Sequence, residues 1–415
     1  MYILICKEWF WMYCVKQLLP DVFWVGGNDR RLSLFENVFP IPRGVSYNSY
    51  VILDEKTVLM DTVDRSISDL FFENLDHVLH GRPLDYLVVN HMEPDHCATM
   101  QELLLHYPDV TIVGNTKTFS MIRQFFDFEV DSRAKIVQEG DVLCTGRHSF
   151  RFFMAPMVHW PEVMTCYDTH AHILFSADAF GSFGSLSGSI YADELSFESQ
   201  WLCDARRYFS NIVGKYGVQV QTLLKKLSPL NIELLCSLHG PVWRQDISWF
   251  LHKYQLWSQY EPEEKAVMVA YASVYGNTEN AVDILCFLLG ERGIHNITVH
   301  DVSRSHPSYI VSDAFRCSHL IFASTTYNAE IFCNMDTVLR ELTSHNLQNR
   351  TVGLIQNGSW SPTAGSLMKK HLSQLKNMTI LEPCVEIRSS IKSVQSEQLI
   401  ELADAISQSF FADTI

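Results

Sequence analysis

The sequence lacks the features that mark several common classes of protein. None of its 11 cysteines forms a C-x-x-C pair, and 47 acidic residues outnumber 32 basic ones. Scattered cysteines in odd number argue against a disulfide framework and favour a reducing compartment. The net charge of −15 argues against nucleic acid or an anionic membrane as partner. We therefore expect a soluble, cytoplasmic protein.

Length and composition predict two domains and a short N-terminal extension. At 415 residues the chain exceeds the usual limit of about 250–300 residues for one core. Residues 1–17 are largely apolar but are interrupted by Lys7 and Glu8, and they lack the layout of a signal peptide or a membrane span. The charged, proline-containing segment Glu261–Lys265 is typical of a linker. The predicted domains are residues 18–260 and 261–415.

The pattern of the first domain predicts an αββα sandwich. Apolar runs at Val22–Val25, Ser46–Leu53 and Lys56–Met60 indicate strands, because glycine- and proline-containing turns separate them. Ser66–Leu79 follows with apolar residues at helical spacing. After these strands and this helix, mixed strand and helix units continue, which is the order expected of two packed sheets covered by helices.

A dense set of metal-binding side chains directly follows a predicted buried strand, Tyr86–Val89. The turn Asn90–Cys97 presents an H-x-E-x-D-H string, with His91, Glu93, Asp95 and His96 as its four potential ligands. Imidazoles mixed with carboxylates suit iron, zinc or manganese, whereas the thiolates of a structural zinc site are missing. The alternative is an ordinary strand-to-helix turn in which Asp95 serves only as an N-cap.

Three further residues of ligand type share one structural position. His159 lies in a proline-containing loop, while Asp178 and His239 each end a short apolar strand before a glycine turn. A lone histidine at such a place is more often a core or turn residue than a ligand. Three such residues together with the H-x-E-x-D-H turn favour one shared metal site.

The second domain alternates strands and helices, which predicts a parallel, doubly wound sheet with a cofactor at the carboxyl ends of its strands. Predicted strands include Ala266–Ala272, Leu320–Ala323 and Val352–Gln356, and predicted helices include Asn277–Leu289 and Glu330–Leu342. Three loops that follow these strands offer hydroxyl, amide and aromatic groups. The candidate cofactor residues in them are Ser273, Val274, Tyr275, Gly276, Asn277, Thr278, Ser324, Thr325, Thr326, Tyr327, Asn328, Asn357, Gly358, Ser359 and Trp360.

The chemistry of these loops favours a flavin mononucleotide. The loop that starts at Ser273 can hold a phosphate through hydroxyls, backbone N–H groups and a helix N-terminus. It is not a P-loop, because the G-K-[ST] ending is absent. Tyr327 and Trp360 could flank a flat isoalloxazine ring. All three loops on adjacent strand ends resemble those of a flavodoxin domain that binds FMN.

The metal-binding pattern as a whole resembles the flavodiiron protein (A-type flavoprotein) family. After the H-x-E-x-D-H turn, His159, Asp178 and His239 are separated by 62, 18 and 60 residues. The local contexts Pro156–Pro161, Phe175–Gly181 and Leu238–Pro241 are also similar. The resemblance extends over nearly everything after Leu18, and it implies a metallo-β-lactamase-like sandwich followed by a flavodoxin-like domain.

The resemblance also implies a set of ligands and a reaction. His91, Glu93 and His159 would hold one iron, Asp95, His96 and His239 the other, and Asp178 would bridge them, with no catalytic residue beyond these seven. The implied enzyme is an oxidoreductase that reduces O2 to water with electrons from FMN. In this family the flavin of one subunit lies beside the irons of another in a head-to-tail homodimer, which can pair into a dimer of dimers. Because no C-x-x-C motif is present, the electron donor would be a rubredoxin-like protein, an NAD(P)H-linked reductase or reduced deazaflavin.

Other functions remain open from the sequence. Reduction of NO to N2O would use the same seven ligands. A zinc hydrolase of the β-lactamase type is disfavoured, because related hydrolases have histidine where this chain has Glu93, and the added carboxylate favours iron. A non-enzymatic electron carrier or NO sensor with a flavin is the remaining alternative.

Overall fold

The computed structural model describes residues 13–412, which form two compact units. The first unit contains the residues up to Ala205 together with Thr222–Ser248, and the second contains Arg206–Gln221 and the residues from Trp249 onward. Most of the predicted N-terminal extension, residues 1–12, lies outside the described residues. Its last two residues, Lys16 and Gln17, belong to the first strand. The domain boundary between residues 260 and 261 remains a prediction.

The first unit is built from strands β1 to β16. In chain order these are β1 (Lys16–Leu19), β2 (Val22–Trp24), β3 (Gly27–Asp29), β4 (Leu34–Phe35), β5 (Phe39–Pro40), β6 (Val45–Tyr47), β7 (Tyr50–Ile52), β8 (Val58–Met60), β9 (Tyr86–Val88), β10 (Thr111–Gly114), β11 (Ala134–Ile136), β12 (Val142–Cys144), β13 (Ser149–Met154), β14 (Met164–Asp168), β15 (Ile173–Phe175) and β16 (Leu234–Cys236). The two main sheets have the orders β1-β2-β7-β8-β9-β10-β11 and β12-β13-β14-β15-β16, while β3 pairs with β6 and β4 with β5 in two-stranded sheets.

The two sheets pack face to face as the predicted sandwich. The rings of Tyr50 in β7 and Phe175 in β15 lie 5.4 Å apart, and both side chains are buried. The Tyr50 hydroxyl donates a hydrogen bond of 2.8 Å to the carbonyl of Ser237, directly after β16. Burial of two large rings contributes hydrophobic stabilisation of about 1.5–3 kcal/mol each. The predicted fold class is thus confirmed for this unit.

Residues 46–53 do not form the single strand that their apolar pattern predicts. Asn48 and Ser49 leave the strand between β6 and β7. The reason is a competing set of bonds, since the Asn48 side chain donates to the carbonyls of Ser237 and Gly240, each at 2.9 Å. The broken strand therefore ties the first sheet to the turn that carries His239.

The helices follow the apolar periodicity of the sequence. They are α1 (Ser68–Leu79), α2 (Pro94–Cys97), α3 (Met100–His106), α4 (Thr116–Phe125), α5 (Phe197–Gln200), α6 (Leu202–Tyr208), α7 (Gly217–Leu227), α8 (Ile247–Ser258), α9 (Asn277–Glu291), α10 (Pro307–Arg316), α11 (Cys333–Ser344), α12 (Ala364–Leu372) and α13 (Ser393–Phe411). A π-helical turn, Phe209–Val213, follows α6. Within the described residues, none of these helices is long and apolar enough to cross a membrane.

The second unit contains a predominantly parallel sheet. Its strands are β17 (Glu264–Ala272), β18 (Ile297–Asp301), β19 (Cys317–Tyr327), β20 (Glu330–Ile331), β21 (Thr351–Asn357), β22 (Thr379–Ile380) and β23 (Val385–Ile387). The order β18-β17-β19-β21 continues to β22 and β23, and all of these neighbours pair in parallel. This is the doubly wound order of flavodoxin-like sheets, as predicted.

Strand β19 continues further than predicted, and this shortens both the loop and the helix predicted after it. Residues 324–327 continue strand β19, which then forms an antiparallel hairpin with β20. Only Asn328 and Ala329 form the turn, and both have positive φ angles of 53° and 62°. The helix predicted to start at Glu330 therefore starts at Cys333.

Candidate metal centre and cofactor cleft

The seven predicted metal ligands meet at one end of the sandwich. His91, Glu93, Asp95 and His96 follow strand β9, and the last two lie in the single turn of α2, which begins at Pro94. His159 lies in the loop between β13 and β14, Asp178 follows β15, and His239 follows β16. All seven side chains are buried. Strand ends from both sheets thus contribute to one site.

Four of these residues form a first cluster. The Nε2 atom of His91 lies 3.2 Å from Oε2 of Glu93, and Nε2 of His159 lies 3.0 Å from the same oxygen. Oδ2 of Asp178 lies 3.2 Å from Nε2 of His159 and 3.6 Å from Nε2 of His91. The ligand atoms lie within 4.8 Å of one another, so one ion could contact all four.

The remaining three residues form a second cluster. Nε2 of His239 lies 3.2 Å from Oδ2 of Asp95 and 3.0 Å from Nε2 of His96. Oδ1 of Asp178 lies 3.1 Å from Nε2 of His96 and 3.8 Å from Nε2 of His239. Asp178 therefore presents one carboxylate oxygen to each cluster.

Neighbouring groups fix the orientation of two of the imidazoles. Nδ1 of His91 lies 2.8 Å from Oε1 of Glu162, and Nδ1 of His239 lies 2.8 Å from the carbonyl oxygen of Ser46. Because both acceptors require a proton on Nδ1, the Nε2 lone pairs are available to a metal.

The buried carboxylates of the site favour positive charge on the groups between them. Burial opposes protonation of the imidazoles, but the Asp178 and Glu93 carboxylates raise the pKa of His159 to about 9. Asp95 and Asp178 likewise raise the pKa of His239 to about 9 against the effect of burial. Burial also disfavours the charged form of Asp178, yet the histidines hold its pKa well below the usual value. Either protons or metal ions can supply the compensating charge.

Unpaired oxygen atoms show that protons alone satisfy this site poorly. Both carboxylate oxygens of Asp95 and Oδ1 of Asp178 are buried and make no well-aligned hydrogen bond in the described part of the chain, although ligand imidazoles lie close to them. Asp95 also does not cap α2, since the N-cap residue is Glu93. Buried carboxylates without donors are costly unless they coordinate a cation. Two imidazoles and a carboxylate for each cluster, with a shared carboxylate, fit two hard-to-borderline cations such as iron.

The backbone around the ligands is held in unusual conformations. Asp61, buried with a φ of 55°, accepts hydrogen bonds of 2.7 and 3.1 Å from the N–H groups of Asn90 and His91. Ala177, directly before Asp178, has a φ of 52°. Left-handed non-glycine residues cost about 1–3 kcal/mol each and concentrate at functional sites. The ligands are thus positioned by a backbone that is locally strained.

The cofactor cleft lies in the second unit, where strands β17, β19 and β21 end. It is a cavity of about 720 Å³. Of the fifteen predicted cofactor residues, Gly276 and Ser324 do not line it, and Ser324 is fully buried. The predicted residues that line it are Ser273, Val274, Tyr275, Asn277, Thr278, Thr325, Thr326, Tyr327, Asn328, Asn357, Gly358, Ser359 and Trp360.

Hydroxyl and amide groups connect the three loops at the base of this cleft. Oγ1 of Thr278 lies 3.0 Å from Oγ1 of Thr325 and accepts a hydrogen bond of 3.3 Å from the Asn357 side chain. At the rim, Trp360 is 82% exposed and Tyr327 is 50% exposed. Ordered polar groups at the base and open aromatic faces at the rim suit a ligand with a phosphate and a flat ring.

Several residues at the two sites escape sequence reasoning. Glu162, Asp61 and Ser46 accept hydrogen bonds from the metal ligands or from the turn that carries them. They lie far from these ligands in the sequence, and no motif or spacing predicts this role. Glu36, an exposed residue in the turn between β4 and β5, lies beside Glu93, and partial desolvation of its carboxyl together with the Glu93 charge raises its pKa. In the cofactor cleft, the residues not foreseen are Ala329, Ser361 and Ser389.

A family model supports the interpretation of the first unit. Residues 45–240 match the model described as ODP family beta lactamase. This segment contains all seven candidate ligands.

Known proteins and solved structures are similar to most of the chain. This chain is 30% identical over 356 residues to the anaerobic nitric oxide reductase flavorubredoxin of Aliivibrio salmonicida. The aligned region covers 82% of this chain and 68% of that protein. A flavoprotein structure from Thermotoga maritima superposes with a TM-score of 0.87 at 26% identity, over 96% of this chain and 98% of that one. A flavo di-iron protein variant from the same organism gives a TM-score of 0.85, also at 26% identity, over 96% and 99% of the two chains. Rubredoxin oxygen:oxidoreductase from Desulfovibrio gigas shares the fold at 23% identity, with a TM-score of 0.89 over 96% and 99%.

Proposed function

Because this chain belongs to the flavodiiron protein family, we propose that it reduces O2 to water at two irons, with electrons delivered through FMN. It is an oxidoreductase of that family. The observation that carries the proposal is the pair of buried ligand clusters that share Asp178, in a chain that also contains a cofactor cleft.

The seven side chains suit this reaction by charge and by burial. His91, Glu93 and His159 would hold one iron, Asp95, His96 and His239 the other, with Asp178 between them. Two ferrous ions held there would supply electrons to a diatomic gas. The protein contributes a site from which water is largely excluded, since the most exposed ligand, Asp95, is only 9% accessible. Low local polarity strengthens the interaction of these carboxylates with the cations.

Apolar rings enclose the ligands further. The ring of Trp160 meets the ring of His91 edge to face at 5.4 Å, and Tyr47 meets His239 in the same way at 5.8 Å. These rings fill the space beside the imidazoles. A small uncharged gas can enter such surroundings more readily than a charged substrate.

The cofactor cleft fits FMN by the chemistry of its lining. Hydroxyls and backbone N–H groups of residues 273–278, at the start of α9, would bind the phosphate. Tyr327 and Trp360 would flank the flavin ring, and Asn328 and Asn357 offer amide groups to its polar edge. FMN bound there would accept electrons from the external donor and pass them on to the metal centre.

Reduction of NO to N2O is the second candidate, and a specific observation favours it. The relative with 30% identity is named an anaerobic nitric oxide reductase. The same seven ligands would serve both reactions, so the selection between the two gases lies in groups around them.

We further propose a cytoplasmic, head-to-tail homodimer, able to pair into a tetramer, in which the flavin of one subunit serves the irons of its partner. The family resemblance supports this arrangement, and the exposed Tyr275 and Trp360, at 92% and 82%, offer apolar surface at the cofactor cleft for a partner to cover. The cysteines of the described residues are all free thiols, which suits a reducing compartment. The electron donor would be an external rubredoxin-like protein, a reductase or reduced deazaflavin.

Gas consumption by the loaded protein tests the proposed function. The iron- and FMN-replete protein is reduced chemically without air, and O2 or NO is then followed with an electrode. We expect four electrons per O2 consumed, with no O2 returned by added catalase because water is the product. Faster consumption of NO, with N2O formed, would assign the second candidate instead. Protein that holds two irons and FMN but consumes neither gas would contradict both, and zinc in place of iron would favour a hydrolase.

A further inference from the structure

The two metal positions have equivalent ligand sets. Each cluster has two imidazoles and one carboxylate of its own, and each faces one oxygen of Asp178. The groups around the ligands are therefore the main source of any difference between the two positions. For a histidine, the decisive atom is the ring nitrogen that points away from the metal, because an anion that accepts its proton makes the other nitrogen a stronger donor.

Three of the four histidines differ in the group behind the ring. Nδ1 of His91 lies 2.8 Å from a carboxylate oxygen of Glu162. Nδ1 of His239 lies 2.8 Å from a neutral backbone carbonyl, that of Ser46. Nδ1 of His96 is buried and has no hydrogen-bond partner among residues 13–412. The first cluster thus has an anion behind one imidazole, whereas the second has a neutral acceptor and an unpaired nitrogen.

Glu162 is placed to act on this one cluster. Its side chain is fully buried, and its Oε1 atom also accepts a hydrogen bond of 2.9 Å from the N–H of Met92, between two ligands. Its Oε2 atom is buried and has no partner in the described part of the chain. Both contacts of this carboxylate are therefore made by Oε1, one with His91 and one with the backbone of the ligand turn.

We propose that Glu162 makes the two metal positions electronically unequal. By accepting the Nδ1 proton of His91, this carboxylate strengthens donation from Nε2 and brings a further negative charge near the first cluster. Both effects stabilise the higher oxidation state at the position held by His91, Glu93 and His159. A centre oxidised by one electron therefore has its ferric ion at that position. Glu162 is a positioning residue, and the inference rests on the proposed diiron function.

The variant Glu162→Gln tests this role, because it removes the charge and keeps the shape. The amide oxygen can replace Oε1 towards both donors, and the amide nitrogen takes the place of the unpaired Oε2. The measurement is a redox titration of the diiron centre followed by the EPR signal of the mixed-valent state. We expect the constant for formation of that state to fall about tenfold or more, because loss of a group behind a metal-bound histidine weakens the metal interaction about 10–100-fold. A tenfold fall in this constant means that the two one-electron potentials of the diiron centre lie about 59 mV closer together.

Two further variants identify the cause. Glu162→Asp keeps the charge, so we expect it to restore part of the mixed-valent signal. Asp168→Asn is the matched control, because Asp168 is also a fully buried carboxylate on a histidine, with its Oδ2 2.5 Å from Nδ1 of His148, which belongs to neither cluster. It should lower the melting temperature and leave the mixed-valent signal unchanged.

The outcomes separate this inference from the proposed function. Glu162→Gln protein with two irons and the wild-type mixed-valent signal would overturn the inference alone. If this variant loses iron during purification, stepwise Fe(II) titration without air replaces the redox measurement. Weakening of 10- to 100-fold at one position then supports the inference, and equal weakening at both overturns it. Wild-type protein that fails to bind two irons would contradict the proposed function instead.

Discussion

The sharpest test of the metal centre is removal of the carboxylate that both clusters share. Asp178 is fully buried, and its two oxygens lie 3.2 Å from Nε2 of His159 and 3.1 Å from Nε2 of His96. We expect Asp178→Asn to reduce the iron content from two per chain to less than one. Asp95, in contrast, faces only the second cluster, so Asp95→Asn should leave about one iron per chain.

The size of the effect follows from the repulsion between two cations. Metal ions in paired sites lie about 3.5–4 Å apart. Two unit charges at 4 Å interact by about 4 kcal/mol at an effective dielectric constant of 20, so two dications repel by about four times as much, about 16 kcal/mol. A bridging carboxylate attracts both ions and offsets this cost. A neutral amide at position 178 cannot, so the second ion should fail to bind. Because Asp178 also presents an oxygen to the first cluster, its loss should weaken binding of the remaining ion as well.

The assay is metal analysis of protein loaded with Fe(II) without air and then desalted. Circular dichroism and the melting temperature check that both variants are folded. Asp168→Asn again serves as the control, since it removes a buried carboxylate outside the clusters and should retain two irons. If Asp178→Asn retains two irons, or if Asp95→Asn and Asp178→Asn lose the same amount, then Asp178 does not bridge the two positions.

Three further changes test other parts of the structure. Glu93→His should weaken iron retention and suppress gas turnover, because it replaces an anionic ligand by a neutral one; unchanged iron content and rate would show that Glu93 is not a ligand. Thr278→Val should lower FMN affinity, measured by fluorescence titration, because it removes the hydroxyl that joins the three loops, whereas Thr278→Ser should retain binding. His148→Gln should destabilise the protein at pH 6 more than at pH 9 in chemical denaturation. Burial disfavours the charged His148 ring, but Asp168 and Asp21 raise its pKa above the unfolded value, so its stabilising effect is complete below about 6.5 and is lost as the pH rises through the folded pKa.

The sequence predicts that the seven candidate ligands come together, because their positions follow a local rule. Asp178 and His239 both follow short buried strands, β15 and β16, which form adjacent parallel strands of one sheet. Strand ends at one edge of a sheet bring distant residues together, so the type of residue and its place after a strand are sufficient. The same rule places the loops after β17, β19 and β21 around one cleft.

The groups that support the ligands follow no such rule. Glu162 reaches His91 across 71 positions, and Asp61 accepts N–H groups of the ligand turn from 29 positions away. Their sequence surroundings are those of ordinary polar residues. Only the packed structure shows that their charges are directed at a histidine and at a backbone turn, because these contacts depend on how both sheets fold. Strand Ser46–Leu53 was predicted too long for the same reason, since Asn48 leaves it to make long-range bonds.

The break between β6 and β7 also explains how a site assembled from two sheets can be precise. Segment 46–50 contacts the His239 turn at several points, through Ser46 to His239 Nδ1, Asn48 to the Gly240 carbonyl and Tyr50 to the Ser237 carbonyl. Tyr50 in β7 joins the first sheet, which carries the H-x-E-x-D-H turn, to the second sheet, which carries His239. Ser46 and Asn48 hold the segment before β7 to the same turn. The spacing between the two ligand clusters is therefore set by hydrogen bonds between buried side chains and backbone carbonyls, which are costly to leave unpaired. Because rotation or sliding of one sheet against the other would break several such bonds at once, the ligands keep their spacing even though most of them lie at the ends of strands only three residues long.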